Sequence, residues 1–267
     1  MANIRSYGRW SSALTASSAF DSDQEGPGIR LTTLLDDGYP ANLRRLPHPP
    51  PLLFCRGQVQ PGDAWAAAVV GTRTPSSAGL RRARRFASLL ARRGVTVVSG
   101  LARGIDTASH EACLDAGGRT VGVLGCGIRR IYPPENAALA ERIAGRGAVV
   151  SQFLPDTPPS APTFRQRNAV CSGLALATLV VEAGPMSGAR LQARLALEQG
   201  RQVLLLASLV AEQEWAATCL LHHSGVHTID DDADGDAVVA CLRPEQDAGD
   251  VATGSGGQLA LSLEAGR

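Results

Sequence analysis

The stretch AVVGTRTPSSAGLRRARRFASLLARRGVTVVSGLARGID, residues 68–106, decides the fold. An apolar run from Ala66 to Val70 stops at a glycine, a pattern typical of a strand buried on both faces of a parallel sheet. A helix-period segment, Leu80 to Arg93, follows, and a second apolar run, Val95 to Val98, ends before a Ser-Gly pair. Strand, helix and strand in this order predict a βαβ unit.

Eight arginines and no acidic residue lie between Asp63 and Asp106, so this stretch is strongly basic. One arginine follows each strand: Arg73 after the first and Arg103 after the second. Because ligands of parallel sheets bind beyond the carboxyl ends of the strands, this placement predicts a site for an anion. The other six arginines lie on the intervening helix, where a solvated outer face is the ordinary interpretation: Arg81, Arg82, Arg84, Arg85, Arg92 and Arg93.

Length and composition describe one large α/β domain with appendages: 267 residues, of which 44% are hydrophobic and 19% charged. All 26 basic residues are arginine, so any phosphate contact would come from a planar, permanently charged group. The six cysteines show no Cys-x-x-Cys spacing, which indicates free thiols in a reducing compartment. No apolar run is long enough to span a bilayer and no signal-peptide pattern is visible, so we expect a cytoplasmic protein without membrane contact.

The chain is expected to divide into four segments. Residues 1–28 form a disordered or weakly structured extension, and residues 29–64 a turn-rich lead-in whose piece Leu52 to Cys55 adds an edge strand. Residues 65–243 form a Rossmann-like domain whose pattern weakens after residue 206, and residues 244–267 a flexible tail. The fold class is α/β, an extended Rossmann-like fold with a mostly parallel sheet flanked by helices. Four more strands are predicted: Thr120–Leu124, Ala148–Ser151, Thr178–Val181 and Gln202–Leu206.

The sequence contains no recognisable catalytic constellation. His110 lies beside no obvious nucleophile, on a helix that Asp106 is expected to cap. Glu182, at a strand end, is either a general base or a group that orients an arginine or holds loop amides. The pair His222-His223 lacks a third ligand at metal spacing. We therefore predict no catalytic residue and no metal site.

Anion binding is better supported than catalysis. Besides the two strand-end arginines, the helix after a Pro-rich loop carries Phe164 beside Arg165 and Arg167. An aromatic face beside guanidinium groups suits single-stranded nucleic acid, whose bases stack and whose phosphates need charge. The first strand ends in GTRTPSSAG rather than G-x-G-x-x-G, which disfavours NAD, and no cofactor is expected. The residues alone do not decide whether the ligand is a nucleotide or a polynucleotide. They also allow an alternative without a ligand, in which Phe164 is a core residue and the arginines pair with Asp106 and Glu182.

The motifs VVGTR, SGLARGID, YPPEN, FRQRN and VVEAGPMSGAR follow one another along the chain. In this order they closely resemble those of the DNA-processing protein A family (DprA, also called Smf), over roughly residues 31–206. The resemblance implies an extended Rossmann fold that binds single-stranded DNA without a cofactor. It also implies that the protein protects incoming strands during natural transformation, loads the RecA recombinase on them, and works as a dimer rather than as an enzyme.

The resemblance also assigns functional residues. Those expected to contact DNA are Arg73, Ser99, Gly100, Arg103, Phe164, Arg165, Arg167 and Asn168. Those expected to shape the surrounding loops are Gly71, Gly104, Asp106, Gly125, Tyr132, Asn136, Glu182, Ser187 and Gly188.

The chain departs from the family after residue 206. Ala207-Ser208-Leu209 stands where the family tends to read V-P-G-S. Since that region carries much of the family's self-association and RecA contact, a homodimer and a RecA partner are both left open. The alternative functions are a Rossmann-type nucleotide hydrolase and a nucleotide-binding sensor. The segment Glu182 to Arg190 lacks the P-G-G-x-G-T-x-x-E pattern of such hydrolases, which disfavours the enzyme.

Overall fold

The computed structural model describes residues 28–242, so the expected N-terminal extension (apart from Gly28) and the C-terminal tail lie outside the described residues. Nine strands form one sheet: β1 (Ile29–Thr33), β2 (Leu52–Gly57), β3 (Ala66–Gly71), β4 (Thr96–Ser99), β5 (Thr120–Val123), β6 (Ala148–Ser151), β7 (Ala177–Glu182), β8 (Gln202–Leu206) and β9 (Val226–Ile229). Their spatial order is β1-β2-β6-β5-β4-β3-β7-β8-β9.

The sheet is parallel from β6 through β9 in this spatial order, and β2 pairs antiparallel with both β6 and β1. The predicted α/β, mostly parallel fold is therefore confirmed. Strand β3 has β4 on one side and β7 on the other. The chain thus winds outward in both directions from this point, and a crevice forms there at the carboxyl ends of the strands.

Helices cover both faces of the sheet: α1 (Ala41–Arg44), α2 (Ser77–Arg92), α3 (Ile105–Asp115), α4 (Ala137–Arg146), α5 (Ala161–Leu174), α6 (Gly188–Glu198), α7 (Ala207–Glu212), α8 (Glu214–His222) and α9 (Gly235–Ala240). Right-handed crossovers that run in opposite directions place α2 and α6 on opposite faces. Helices α3, α4 and α9 pack in the layer of α2, and α1 and α5 pack in the layer of α6.

Helix α2 buries an apolar stripe that includes Ala83, Phe86 and Leu90. Its first turn is capped by Ser76, whose hydroxyl accepts a hydrogen bond from the backbone N–H of Gly79 at 2.9 Å. The predicted βαβ unit is thus present, with the helix beginning three residues earlier than the periodicity alone indicated.

The prediction that all six arginines of this segment form a solvated outer face is wrong for Arg82 and Arg85, which are only partly exposed. Arg82 lies 2.5 Å from the Asp231 carboxylate, Arg85 donates to the backbone oxygen of Asp231, and Arg93 pairs with Asp236. The reason is tertiary: the acidic segment after β9 leads into α9, which packs against α2.

The lead-in contributes more structure than its prolines indicated. The expected strand at residues 52–55 is present as β2, but the edge position belongs to β1, which the sequence did not predict. Helix α1 was also not predicted. The side-chain amide of Asn42 in α1 donates to the carbonyl oxygens of Ala64 and Leu174, which ties the lead-in to α5. The boundary at residue 64 between the lead-in and the main domain remains a prediction. Strands from both segments pair in one sheet.

All six cysteines are free thiols, and Cys55, Cys113, Cys126 and Cys171 are buried. Burial raises the pKa of Cys171 and of Cys113 to about 12, so both stay protonated near neutral pH. Among the helices of residues 28–242, none is both long and apolar enough to cross a membrane.

Candidate nucleic-acid interface

A groove of about 810 Å³ opens at the carboxyl ends of β3 and β7, where the strand order reverses. Its walls are the loops that follow these two strands and the first turns of α5 and α6. Residues that line it include Arg73, Phe164, Arg165, Asn168, Ser187 and Gln192. The site predicted from the strand-end rule therefore exists as a physical cavity.

Arg73 and Phe164 meet at this groove. The guanidinium carbon of Arg73 lies 5.0 Å from the centroid of the Phe164 ring, within cation–π range. The Tyr132 ring lies 5.7 Å from the Phe164 ring, at an interplanar angle of 46°. Arg73 and Arg165 are exposed, and neither makes a salt bridge within residues 28–242. Because Phe164 is only half-buried, the alternative of a core ring does not apply.

The position of Phe164 is determined by the start of α5. Ser160 caps the helix by accepting a hydrogen bond from the N–H of Thr163 at 3.3 Å, and the Thr163 hydroxyl donates to the carbonyl oxygen of Gly125 at 2.6 Å. Gly125 has no side chain, and a Cβ atom there would overlap the Phe164 ring. Gly125 therefore shapes the site, as the resemblance implied, by letting the ring approach the loop after β5.

Arg167 is buried, with only 5% of the residue exposed. Its guanidinium donates to the carbonyl oxygens of Gly100 and Val123, and it lies 3.9 Å from the Asp106 carboxylate. A Cβ atom at Gly100 would overlap this guanidinium, so the glycine is required for the contact. Arg167 also lines the groove, but its guanidinium is engaged by these carbonyl oxygens, so direct DNA contact by Arg167 stays a prediction. In the structure the residue ties the loop after β4 and the end of β5 to α5, beneath Phe164.

The expectation that Asp106 caps α3 is wrong. The residue before the helix is Gly104, which provides no side-chain cap. The buried carboxylate of Asp106 instead accepts a hydrogen bond from the N–H of Ala102 at 3.3 Å and faces Arg167. Burial raises the pKa of Asp106, and the nearby Arg167 charge opposes that rise. The loop after β4 curls back over the start of α3, with Leu101 at the strained φ of 57°. This course brings the Ala102 N–H to the Asp106 carboxylate, which holds the loop in place.

Arg103 does not share the groove with Arg73, although both follow neighbouring strands. The curled loop directs Arg103 to the loop after β5, where it makes an exposed ion pair with Glu135. The side-chain amide of Asn136, also in that loop, donates to the Leu101 carbonyl oxygen and to the Thr107 hydroxyl, both at 2.9 Å. The expected convergence of the two strand-end arginines is therefore corrected: one lines the groove and the other lies outside it.

Two further predicted site residues serve the framework through their side chains. Ser99 is fully buried and its hydroxyl donates to the Val69 carbonyl oxygen at 2.7 Å, so it links β4 to β3. Glu182 accepts from the N–H of Ser76 at 3.0 Å and from the Ser76 hydroxyl at 2.7 Å. Of the alternatives considered for Glu182, the structure supports the one in which it holds loop amides.

The remaining predicted residues border the groove. Gly71 ends β3, and Ser187 caps α6 by accepting from the N–H of Ala189 at 3.1 Å. Asn168 lines the groove and its amide donates to the Gly188 carbonyl oxygen at 3.3 Å. Sequence reasoning did not identify Gln192, which lines the groove, is 4% exposed and has a side-chain nitrogen without a partner in the described part of the chain. No local pattern distinguishes it from the other polar residues of α6.

His110 packs in the interior rather than at the groove. It is completely buried, its Nδ1 lies 2.7 Å from the Thr120 hydroxyl oxygen, and burial lowers its pKa to about 3. Because this value lies below the ordinary 6.5, the folded protein binds fewer protons than the unfolded chain between these two pH values. The stability contributed by neutral His110 is therefore complete above pH 6.5 and is lost as the pH falls below it.

Because of this histidine, we expect the free energy of unfolding to fall by about 2 kcal/mol when the pH is lowered from 7 to 5. Urea titrations of the wild type and of His110→Gln at both pH values measure it. The variant, which cannot titrate at this position, should lose about 2 kcal/mol less than the wild type over the same interval. Equal losses in the two proteins would show that His110 does not titrate with a lowered pKa.

The fold and groove define a class: α/β proteins that bind ligands where the strand order of a parallel sheet reverses. The model of one family, DNA recombination-mediator protein A, matches residues 30–237. The chain belongs to this family, so the resemblance seen in the sequence is confirmed.

Individual relatives agree with this membership. The protein Smf of Escherichia coli is 43% identical over 183 residues, which cover 68% of this chain and 49% of that protein. The protein Smf of Synechocystis is 39% identical over 198 residues, which cover 73% of this chain and 50% of that protein. The chain thus spans about half the length of these curated relatives.

Solved structures show the same fold. The X-ray structure of DNA processing protein A from Streptococcus pneumoniae superposes with a TM-score of 0.72 at 30% identity, covering 82% of this chain and 76% of that one. DNA processing protein A from Helicobacter pylori, whose structure concerns its single-stranded DNA binding mode, gives a TM-score of 0.68 at 26% identity. That match covers 80% of this chain and 95% of the other.

Proposed function

We propose that this protein binds single-stranded DNA in the groove between β3 and β7. The observation that carries the proposal is the exposed guanidinium of Arg73, which has no acidic partner in residues 28–242 and rests on the Phe164 ring. A cation and a π-face in one cavity match the two parts of a nucleotide, its phosphate and its base. The relative from Helicobacter pylori, with its single-stranded DNA binding mode, supports the same ligand class.

The groove supplies further donors for phosphate. Arg165 is exposed along it, and both α5 and α6 begin at its wall, at Ala161 and Gly188. Helix N-termini present free backbone N–H groups and a positive dipole end, which favour anions. We expect a phosphate to draw Arg73 away from the ring and a base to take its place on Phe164. Such stacking requires an unpaired base, which selects single strands over duplex.

A binding role agrees better with the acidic groups than hydrolysis does. Asp106 is buried against Arg167, and Glu182 is held by the Ser76 amide and hydroxyl. Neither carboxylate stands free as a general base toward the groove. We therefore prefer a DNA-binding protein without enzymatic activity to the hydrolase or sensor alternatives.

The biological role that we propose follows from family membership. The protein protects incoming single strands and mediates the loading of RecA on them, in natural transformation or recombination, and it acts in the cytoplasm. A homodimer is the expected assembly, with the segment after β8 as the part that differs from the family pattern. Co-sedimentation with RecA on single-stranded DNA and the mass measured in solution test these two partners.

Replacing Arg73 with alanine is expected to weaken single-stranded DNA binding about tenfold and to do so equally for all sequences. The reason is that a phosphate contact adds affinity without base readout, and its loss reduces the salt slope by about one. Fluorescence anisotropy with several labelled oligonucleotides across a salt series measures both quantities.

Arg92→Ala is the matched control. Arg92 is an exposed arginine in the last turn of α2, so the variant loses the same charge at a position outside the groove. It should bind nearly as the wild type does. If Arg73→Ala and Arg92→Ala behaved alike, the groove would not be the binding site.

A further inference from the structure

The exposed ion pair between Arg103 and Glu135 lies beside the aromatic residues of the groove. The Phe164 ring centroid lies 5.0 Å from the Arg73 guanidinium carbon and 5.7 Å from the Tyr132 ring centroid. Tyr132 is 39% exposed and lies three residues before Glu135, the ion-pair partner of Arg103. These residues therefore form a row that runs from the groove to Arg103. We call this row the aromatic path.

An arginine lies at each end of the aromatic path, and the two arginines differ in whether they have an acidic partner. Arg73 has no acidic partner within residues 28–242, whereas the guanidinium of Arg103 is occupied by the Glu135 carboxylate. The hydrogen bond from Arg103 holds the pKa of Glu135 below its usual range, so this carboxylate is charged at neutral pH. A negative charge here opposes any polyanion that leaves the groove over Tyr132.

The pair is built so that it can exchange partners. The side chains of Arg103 and Glu135 are 61% and 49% exposed, and such solvent-exposed pairs contribute little to stability. A phosphodiester offers the same oxygen acceptors as a carboxylate, and the planar guanidinium fork fits both. Exchange of Glu135 for a phosphate at Arg103 therefore requires no buried contact to break.

From this geometry we infer that a single strand seated in the groove continues over Tyr132 and that one of its phosphates displaces Glu135 from Arg103. Glu135 is then an intramolecular competitor that weakens the binding of strands long enough to reach it. The inference rests on the proposed function. It adds the course of the DNA strand along the aromatic path, a second stacking position at Tyr132, and an acidic residue, Glu135, that opposes DNA binding at Arg103.

The test replaces Glu135 with glutamine, which keeps the side-chain size and removes the charge. Binding of a fifteen-nucleotide oligothymidylate should become about three- to tenfold tighter at low salt, with a salt slope steeper by about one. Thymidine monophosphate has one base and one phosphate and cannot occupy the groove and Arg103 together, so its binding should change by less than about twofold. The gain should disappear in the double variant Arg103→Ala/Glu135→Gln.

Glu198→Gln is the matched control, since Glu198 also forms an exposed pair with an arginine, Arg194, at 2.9 Å. It is the last residue of α6, about 9 Å along the helix from Gln192, which lines the groove. If Glu135→Gln bound the long strand no better than Glu198→Gln, or if its gain persisted without Arg103, the inference would be overturned. If Phe164→Ala lost affinity for the long strand while Glu135→Gln bound it as the wild type does, this inference would be overturned and the proposed function would stand. A wild type that bound no single strand would overturn the proposed function as well.

Discussion

Replacing Arg167 with methionine is expected to lower the free energy of unfolding by about 3–5 kcal/mol, the range for breaking a buried ion pair. Methionine fills a similar volume but leaves the buried Asp106 carboxylate without its cation and two carbonyl oxygens without a donor. Because Phe164 lies over this guanidinium, at 6.0 Å from ring centroid to guanidinium carbon, the groove should lose its shape as well.

Urea denaturation at two pH values measures this effect and identifies its cause. Without Arg167, burial raises the pKa of Asp106 further, so the folded variant gains stability when the carboxyl is protonated and loses it as the pH rises. The deficit relative to the wild type should therefore be smaller at pH 5.5 than at pH 8. Adding Asp106→Asn to Arg167→Met should restore part of the stability. A deficit independent of pH and of Asp106 would contradict the assigned pair.

Replacing Phe164 with alanine is expected to weaken single-stranded DNA binding between about fivefold and about 150-fold. This range corresponds to the 1–3 kcal/mol that one base stacked on an aromatic ring is worth. Anisotropy titrations with a labelled oligothymidylate at fixed salt measure the change in dissociation constant. The salt slope should stay nearly constant, because a ring contributes no charge.

Phe164→Leu separates stacking from packing. Leucine keeps most of the apolar volume next to Gly125 but has no π-face, so it should lose nearly as much affinity as alanine with less loss of stability. Thermal unfolding of all three proteins establishes that they are folded at the binding temperature. If leucine bound as tightly as phenylalanine, the ring would serve as packing rather than as a platform for a base.

The parallel core of the fold could be predicted because its central strands are short apolar runs, bounded by polar residues or turn residues. Strand β8, for example, has the predicted bounds Gln202–Leu206. Strand β1 was missed because its five residues, Ile29–Thr33, show no strong alternation and owe their strand to antiparallel pairing with β2. Pairing across a turn-rich segment is a tertiary property that periodicity does not report.

The candidate site was predicted in part for similar reasons. The strand-end rule correctly indicated that Arg73 borders a cavity, because strand ends follow from periodicity. Arg167 was expected at the surface, since arginines are rarely buried, and its burial depends on carbonyl oxygens 67 and 44 residues away in the chain. The ion pairs between α2 and the acidic segment after β9 are equally remote in sequence.

Binding of single strands in the groove is measured by titrating the wild type with a labelled single strand and with the duplex of the same sequence, each across a salt series. We predict that the single strand binds at least about tenfold more tightly than the duplex, since only unpaired bases can stack on Phe164. Its affinity should fall with salt by a log–log slope of about −0.7 for each phosphate contacted. Equal affinity for the two ligands, or binding that salt does not weaken, would contradict it.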